Sequence, residues 1–253
     1  MTACRADRHL ELEGFGATAQ ARLAAAHVLV VGAGGLGLPV LAYLAASGVG
    51  ALTIVDDDVV DESNLQRQVL YRPADVGHPK AVVAAQALRA LNPDVAITAQ
   101  VERFTSDNAA VLLAAGVDVI VDACDNFRTR YAMSDAATAA GLPVVWGTVR
   151  GWDGYVSVWW SAAPAPLPSV TYPDVFGPQT TGIHSPAQPA GVLAPACGVV
   201  GATMAVEATK LLTGTGQPAL GKLLTYDAKT STWQTVPLTR NPRSPHPKDE
   251  LNL

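Results

Sequence analysis

The chain has only three cysteines in 253 residues, Cys4, Cys124 and Cys197. They are too few and too widely spaced for a disulfide framework or a CxxC metal site, a usage that fits a reducing compartment and predicts a cytoplasmic protein. Charge is sparse too: charged residues make up 15% of the chain, the net charge is −5, and the seventeen Lys and Arg are scattered rather than clustered. Without a basic patch there is no electrostatic footprint for nucleic acid, so no such partner is expected. The opening "MTACRADRHLELEGFG" contains no apolar run of the signal-peptide kind. Internal repeats are missing, and the one biased segment is the polar, proline-bearing tail after Arg240.

Apolar residues make up 49% of the chain, enough at this length for a substantial core. No residue between Arg22 and Asp56 carries a full charge, which a hydropathy window reads as a membrane span. Six glycines from Gly32 to Gly50, with Pro39, argue against a span and divide the stretch into strand, turn, helix and strand. "HVLVVGAGG" is a short apolar run stopped by glycines, as in a buried parallel strand. "LGLPVLAYLAASG" is a helix ending at Gly48, with Pro39 tolerated in its first turn. "GALTIVDDD" is the next buried strand. No membrane association is expected.

The alternation continues. "HPKAVVAAQALRALNP" is predicted helical, "VAITAQVER" a strand, "SDNAAVLLAAG" a helix with Ser106 as N-cap, and "VDVIVDACDN" a strand. "RTRYAMSDAATAAG" and "LPVVWGTV" give one more helix and strand. Strands separated by helices predict an α/β fold, a Rossmann-like doubly wound sheet, mostly parallel. After Arg150 the pattern changes. "GWDGYVSVWWS" alternates like an antiparallel strand, residues 161–191 form a proline-rich irregular crossover loop, "VVGATMAVEATKLLTG" is a helix, and "GKLLTYDAKTSTWQTVPLTRNP" closes as antiparallel strands with a turn at Asp227 to Lys229. One domain over 1–253 is expected, with a helical arm at 1–22 and a flexible tail at 241–253.

"GAGGLG" from Gly32 to Gly37 fits G-x-G-x-x-G between a strand and a helix, where glycines admit a tight turn and helix N–H groups face a phosphate. A tight corner with no ligand is the structural alternative. A dinucleotide site is the plainest functional one, with Asp56 about 20 residues on as ribose acceptor. That reading leaves "DESNLQRQ" unexplained. A nucleoside triphosphate carries more charge and needs a ribose acceptor, cations for its phosphates and a carboxylate for Mg2+. Asp56, Arg67 and Lys80 supply the acceptor and the cations, Asn64 and Gln68 add neutral hydrogen bonds, and Asp125 lies at the end of a later strand. Lys80 opens a helix, where a cation opposes the helix dipole unless an anion is present. Adjacent strand residues face opposite ways, so Asp57 should point away from the site, whereas Asp58 is a further candidate for nucleotide or metal. Asp122 is either a metal ligand or a cap on its strand. Cys124 and Cys197 lie in apolar contexts and read as packed thiols. His184 reads as an exposed loop residue. Trp146, Trp159 and Trp160 read as packing residues, although some could line a docking surface.

Taken together, "VLVVGAGGLG", "VDDDVVDESNLQRQ", "GHPK", "VDACDN" and "GVLAPACGVVGATMAVEATKLL", in this order, resemble the E1-like activating enzymes of the molybdopterin synthase adenylyltransferase and thiamine ThiF group, over nearly the whole chain. The resemblance implies an adenylyltransferase that uses ATP and Mg2+ to activate the C-terminal glycine of a small ubiquitin-like sulfur-carrier protein ending in Gly-Gly. That glycine then receives sulfur as a thiocarboxylate. It further implies nucleotide contacts at Gly32, Gly34, Gly35, Gly37, Asp56, Asp58, Ser63, Asn64, Leu65, Gln66, Arg67, Gln68, Lys80, Asp125 and Asn126, with Asp125 on the metal. Arg8 matches an arginine that reaches the partner subunit's nucleotide, so a homodimer is implied.

Departures from the family pattern shape the rest. Many relatives hold zinc with two CxxC pairs, and here Ser169, Tyr172, Ser244 and Pro247 stand at those places, so no zinc site is expected. The crossover loop, "TTGIHSPAQPAG" from Thr180 to Gly191, has no cysteine for a covalent thioester or persulfide. The expected product is therefore the acyl-adenylate, with sulfur supplied by a separate sulfurtransferase. Two alternatives share these features: an enzyme that adenylates another carboxylate, such as a peptide or a tRNA base, and a non-catalytic partner subunit that docks a carrier. The presence of Arg67, Lys80 and Asp125 argues against the second.

Overall fold

The computed structural model describes residues 5–178 and 191–238. In chain order these form α1 (Asp7–Leu10), α2 (Gly16–Ala25), β1 (His27–Val31), α3 (Gly37–Ala46), β2 (Ala51–Val55), α4 (Lys80–Leu91) and β3 (Ala96–Gln100). Then come α5 (Ser106–Leu113), β4 (Val119–Asp122), α6 (Phe127–Ala140), β5 (Val144–Arg150), β6 (Asp153–Trp159), α7 (Tyr172–Phe176), α8 (Ala194–Thr213), β7 (Lys222–Asp227) and β8 (Thr232–Pro237). Two short 3-10 turns, Glu62–Asn64 and Pro73–Asp75, lie between β2 and α4.

The strands form one eight-stranded sheet in the order β3-β2-β1-β4-β5-β6-β7-β8. The first five pair in parallel and the last three in antiparallel fashion, as the doubly wound reading expects. Successive residues of β1 serve opposite faces: Val28 and Val30 join the core layer made with α2, α3, α4 and α8, while Leu29 and Val31 join the layer made with α5, α6 and α7. Burial on both faces is why β1, β2 and β4 are continuous apolar runs. Each fully buried leucine of these layers, such as Leu29, Leu41 or Leu52, contributes roughly 1.5–3 kcal/mol relative to exposure. The uncharged stretch that mimicked a membrane span is β1, α3 and β2, and no helix among the described residues is long and apolar enough to cross a membrane.

Three local expectations are corrected. Thr105, not Ser106, is the N-cap of α5: its extended backbone precedes the helix, and it forms a capping box with Asn108. Helix α8 begins at Ala194, five residues before "VVGATM", because Pro195 suits a first turn. The crossover stretch is not wholly irregular, since Thr171 and Asp174 box the start of α7 and Trp160 pairs with Val170. Residues 179–190 and the tail 241–253 lie outside the described residues, and with them Cys4, His184, Ser244 and Pro247.

Sheet order reverses between β1 and β4. A crevice opens beyond the carboxyl ends of strands at such a reversal, and both flanking loops, Gly32–Leu36 and Ala123–Asn126, carry predicted site residues.

Candidate functional site

Two glycines of the loop are demanded by backbone contacts. Gly32 has φ +100°, donates its N–H to the Val55 carbonyl at 2.9 Å, and would bring a Cβ to 2.6 Å from the Ala123 carbonyl oxygen. A Cβ on Gly37 would strike the Gly32 carbonyl. Gly34 and Gly35 face other residues. The Gln68 amide nitrogen lies 3.7 Å from where a Gly34 Cβ would stand, and Cys197 Sγ and Arg67 Cγ lie 3.2 Å and 3.3 Å from that of Gly35. Arg67, Gln68 and the first turn of α8 therefore close around the glycine loop.

The three aspartates after β2 have separate partners. Asp56 accepts the Ala33 N–H at 2.7 Å and the Asp58 N–H at 2.9 Å, so it braces the glycine loop from across β1. Burial raises its pKa; the two amide hydrogen bonds and Lys80 oppose that shift. Asp57 forms a two-point ion pair with Arg103, at 3.0 Å and 2.9 Å. Asp58, 63% exposed, meets the Lys80 ammonium at 2.8 Å, while the Lys80 side chain is only 8% exposed. The first turn of α4 thus carries a buried cation whose one hydrogen-bonded counter-charge faces solvent. Lys80 is the cation that the sequence assigns to phosphate.

The segment from Asp61 to Gln68 divides between scaffold and site. Asp61 caps the 3-10 turn by accepting the Ser63 N–H at 2.8 Å, and Asn64 Oδ1 returns the favour by accepting the Asp61 N–H at 3.1 Å. Asn64 is buried in this box, Leu65 packs on the core, Gln66 is exposed, and Arg67 donates to the Ser63 carbonyl at 3.1 Å. Gln68 is 3% exposed and its Oε1 has no hydrogen-bond donor. An acceptor buried this way costs about 1–3 kcal/mol until a donor arrives. Phosphate oxygens accept only, so a phosphate is served by the amide nitrogen and Oε1 requires an O–H or N–H of ligand or water.

On the other side of the crevice, Asp125 is exposed at the tip of the loop after β4. Asn126 Oδ1 caps α6 by accepting the Thr129 N–H at 2.9 Å. Asp122 is buried: it accepts the Cys124 N–H at 3.2 Å and its thiol at 3.0 Å, and faces Arg130 at 3.8 Å. This is a strand-end brace rather than an open ligand. Burial raises the Cys124 thiol pKa well above its ordinary value, with Asp122 adding to it, and burial raises Cys197 against the opposing charge of Arg67. Both thiols are thus held protonated, in keeping with packing roles. Trp146 and Trp159 are buried, and Trp160 donates to the Gly141 carbonyl at 2.8 Å. Ser169 donates to the Ser161 carbonyl at 2.6 Å, and Tyr172 lies among aromatic rings.

Arg8 lies elsewhere. Its side chain is 90% exposed and pairs with Glu11 of its own arm at 2.7 Å. Arg5 donates to the Leu91 carbonyl, tying the arm to the end of α4 opposite Lys80, roughly 16 Å along that helix.

Sequence reasoning missed Tyr71, Asp61, Arg103 and Arg130. Tyr71 is buried, and its hydroxyl donates to the Ala33 carbonyl at 2.7 Å and lies 3.3 Å from the Lys80 carbonyl, joining the glycine loop to the start of α4. Its one advance signal is an aromatic residue just behind Arg67.

The ThiF family model matches residues 6–246. Over 242 residues the chain is 45% identical to the "Probable adenylyltransferase/sulfurtransferase MoeZ" of Mycobacterium tuberculosis, covering 95% of this chain and 61% of that protein. The chain thus spans under two thirds of that relative's length. It is also 45% identical over 247 residues to the "Sulfur carrier protein adenylyltransferase" of Thermus thermophilus, covering 97% and 91%. A crystal structure of E. coli MccB shares the fold, with a TM-score of 0.80 at 22% identity over 96% of this chain and 74% of that one. From β1 to β8 this chain belongs to the ThiF family, within its E1-like adenylyltransferase group.

Proposed function

We propose that the chain is an ATP-dependent adenylyltransferase of the cytoplasm, acting as a homodimer on the C-terminal glycine of a ubiquitin-like sulfur-carrier protein. One observation carries the nucleotide part of this reading: Arg67 and the Gln68 amide nitrogen stand against Gly35 and Gly34, and Asp56 ties Ala33 of the same loop to Asp58 and its partner Lys80, with Asp125 exposed after β4. The relatives' names, which pair adenylyltransferase with sulfur carrier or sulfurtransferase, support the substrate and a sulfurtransferase as the next partner.

Charge dictates the rest. A carrier carboxylate oxygen must form a bond to the α-phosphorus while the bond to pyrophosphate breaks, and every reactant is anionic. Arg67 and Lys80 offset that charge, with Lys80 exchanging Asp58 for phosphate. Asp56 keeps free lone pairs for ribose hydroxyls. Ser63 and Asn64 hold the turn that aims Arg67. The donor set fits Mg2+ without a dedicated cage, because this ion is ordinarily held by one or two carboxylates plus substrate phosphates, and Asp125 is the exposed carboxylate at hand. Bound there, Mg2+ would supply charge neutralisation at the phosphates. No protein nucleophile is needed, consistent with two protonated thiols. Arg8 sits at the wrong end of its own subunit, which favours a role in the partner's site.

The test is ATP–pyrophosphate exchange with purified carriers ending in Gly-Gly. Exchange that depends on the carrier and on its terminal carboxylate is expected. Tight ATP binding with no exchange for any such carrier would overturn the reading in favour of a carrier-docking subunit.

A further inference from the structure

The loop Ala123–Asn126, which displays Asp125, has few ties of its own to the core; the most extensive come from one side chain of α6. Arg130 is buried, and its Nη2 donates to the Cys124 carbonyl at 2.7 Å. Its Nε faces Asp122 at 3.8 Å, an ion pair too long for a hydrogen bond. The guanidinium also interacts with the neighbouring Tyr172 hydroxyl and lies 5.6 Å from the Trp146 ring centre and 5.9 Å from that of Phe127. Its contacts therefore touch the start, middle and end of the loop on one side and α7 on the other. One residue along α6, the Tyr131 hydroxyl donates to the Gly177 carbonyl at 2.9 Å, fixing the far end of α7.

Burying a guanidinium is expensive, and an apolar residue at 130 would leave the buried Asp122 without its counter-charge. It would also lack a fork of donors that grips the Cys124 carbonyl while facing the Tyr172 hydroxyl. We propose that Arg130 is a positioning residue, which with Tyr172 holds the Asp125 loop against α7 so that the carboxylate is preset for the metal. This rests on the assignment of Asp125 to Mg2+ made above.

The experiment uses four variants of the full chain and two readouts: amide hydrogen exchange of the 122–126 segment in metal-free protein, and the Mg2+ concentration that half-saturates carrier-dependent pyrophosphate exchange. Arg130→Lys is expected to speed amide exchange in the loop and raise half-saturating Mg2+ about 10-fold, as loss of an outer-shell partner does. Tyr172→Phe, which keeps the ring, is expected to do both about 3-fold, the effect of removing one polar group that faces the guanidinium. Trp159→Phe perturbs the ring packing around Tyr172 and Trp146 but leaves the guanidinium, the Cys124 carbonyl and the phenol in place, so it should lower Tm yet move either readout less than about 2-fold. Unchanged readouts in Tyr172→Phe, or equal shifts in Trp159→Phe, would overturn the proposal, and Tyr172→Phe decides the matter if Arg130→Lys fails to fold. Asp125→Ala tests the metal assignment separately: full Mg2+-dependent activity in it would sink that assignment, and loop amide exchange in the other variants would still judge Arg130.

Discussion

Strands β1, β2 and β4 are buried along nearly their whole length, whereas all six residues of β8 are exposed. In the parallel half, helices cover both faces, and just past the strand ends a buried ammonium, Lys80, meets the exposed carboxylate of Asp58. In the antiparallel half β8 lies in water, and it carries Trp233 of the Tyr226–Trp233 ring pair, with centroids 4.9 Å apart. Close backbone packing is the rule in the first half and adjustable side-chain packing in the second, and the glycines record it. Gly37 abuts a carbonyl, while Gly147 and Gly154 abut the side chains of Met204 and Val200.

Substitution of those glycines breaks the comparison most directly. Gly37→Ala must displace backbone, with an expected cost of about 4 kcal/mol or more and loss of ATP binding. Gly147→Ala asks only Met204 to move, with an expected cost of about 1–3 kcal/mol and ATP affinity retained. Urea denaturation and calorimetric ATP titration measure both, and equal losses would erase the distinction. Next in size, Asp125→Ala is expected to lower pyrophosphate exchange by about 100-fold to 1,000-fold with Tm unchanged, since one electrostatic stabiliser is removed. Retained exchange would refute the metal role.

A smaller effect is expected from Tyr71→Phe. It leaves the Ala33 carbonyl short of a donor at a cost of about 1–2 kcal/mol, so ATP should bind roughly 5–30-fold more weakly while the carrier's KM holds. A rise in both KM values would mean a general loosening instead. The finest contrast is in two carboxylates. Burial raises the pKa of Asp56 above 3.8, whereas the Lys229 amide and Thr230 hydroxyl lower that of Asp227 in the exposed hairpin. The folded state therefore holds the Asp56 proton more tightly than the unfolded chain does, and that group's stabilising contribution is lost as pH rises from 3.8 through its folded value. For Asp227 the sign is opposite: its contribution is present above 3.8 and lost as pH falls through its lower folded value. Carboxyl titration by NMR should place the two on opposite sides of 3.8, and overlapping values would dissolve the contrast.

Much of this architecture was legible in advance because it rests on local chemistry. Apolar runs stopped by glycine mark buried parallel strands, and the pattern of β1, α3 and β2 requires no knowledge of distant residues. Arg67, Gln68 and Lys80 were legible as a group because a cation near a glycine loop and at a helix start calls for an anion. The braces were not. Asn64 read as a ligand-facing polar residue until its capping box with Asp61 appeared, and neither Asp61 nor Arg130 gave a sign of its role. Tyr71 gave almost no signal, since its two carbonyl partners lie 38 and 9 residues away along the chain.

The sequence by itself determined the order of elements, the switch from parallel to antiparallel pairing after Arg150, and the residue types gathered at the glycine loop, because periodicity, turn chemistry and charge act over a few residues. Only the tertiary structure decided which of those polar residues face the crevice and which hold the loops that form it. Asp56 bracing Ala33, Asp58 meeting Lys80, and Arg130 gripping Cys124 depend on where chain segments meet across the sheet. Hydrogen bonds reach about 3 Å, so their pairing is fixed by that meeting and not by spacing along the chain.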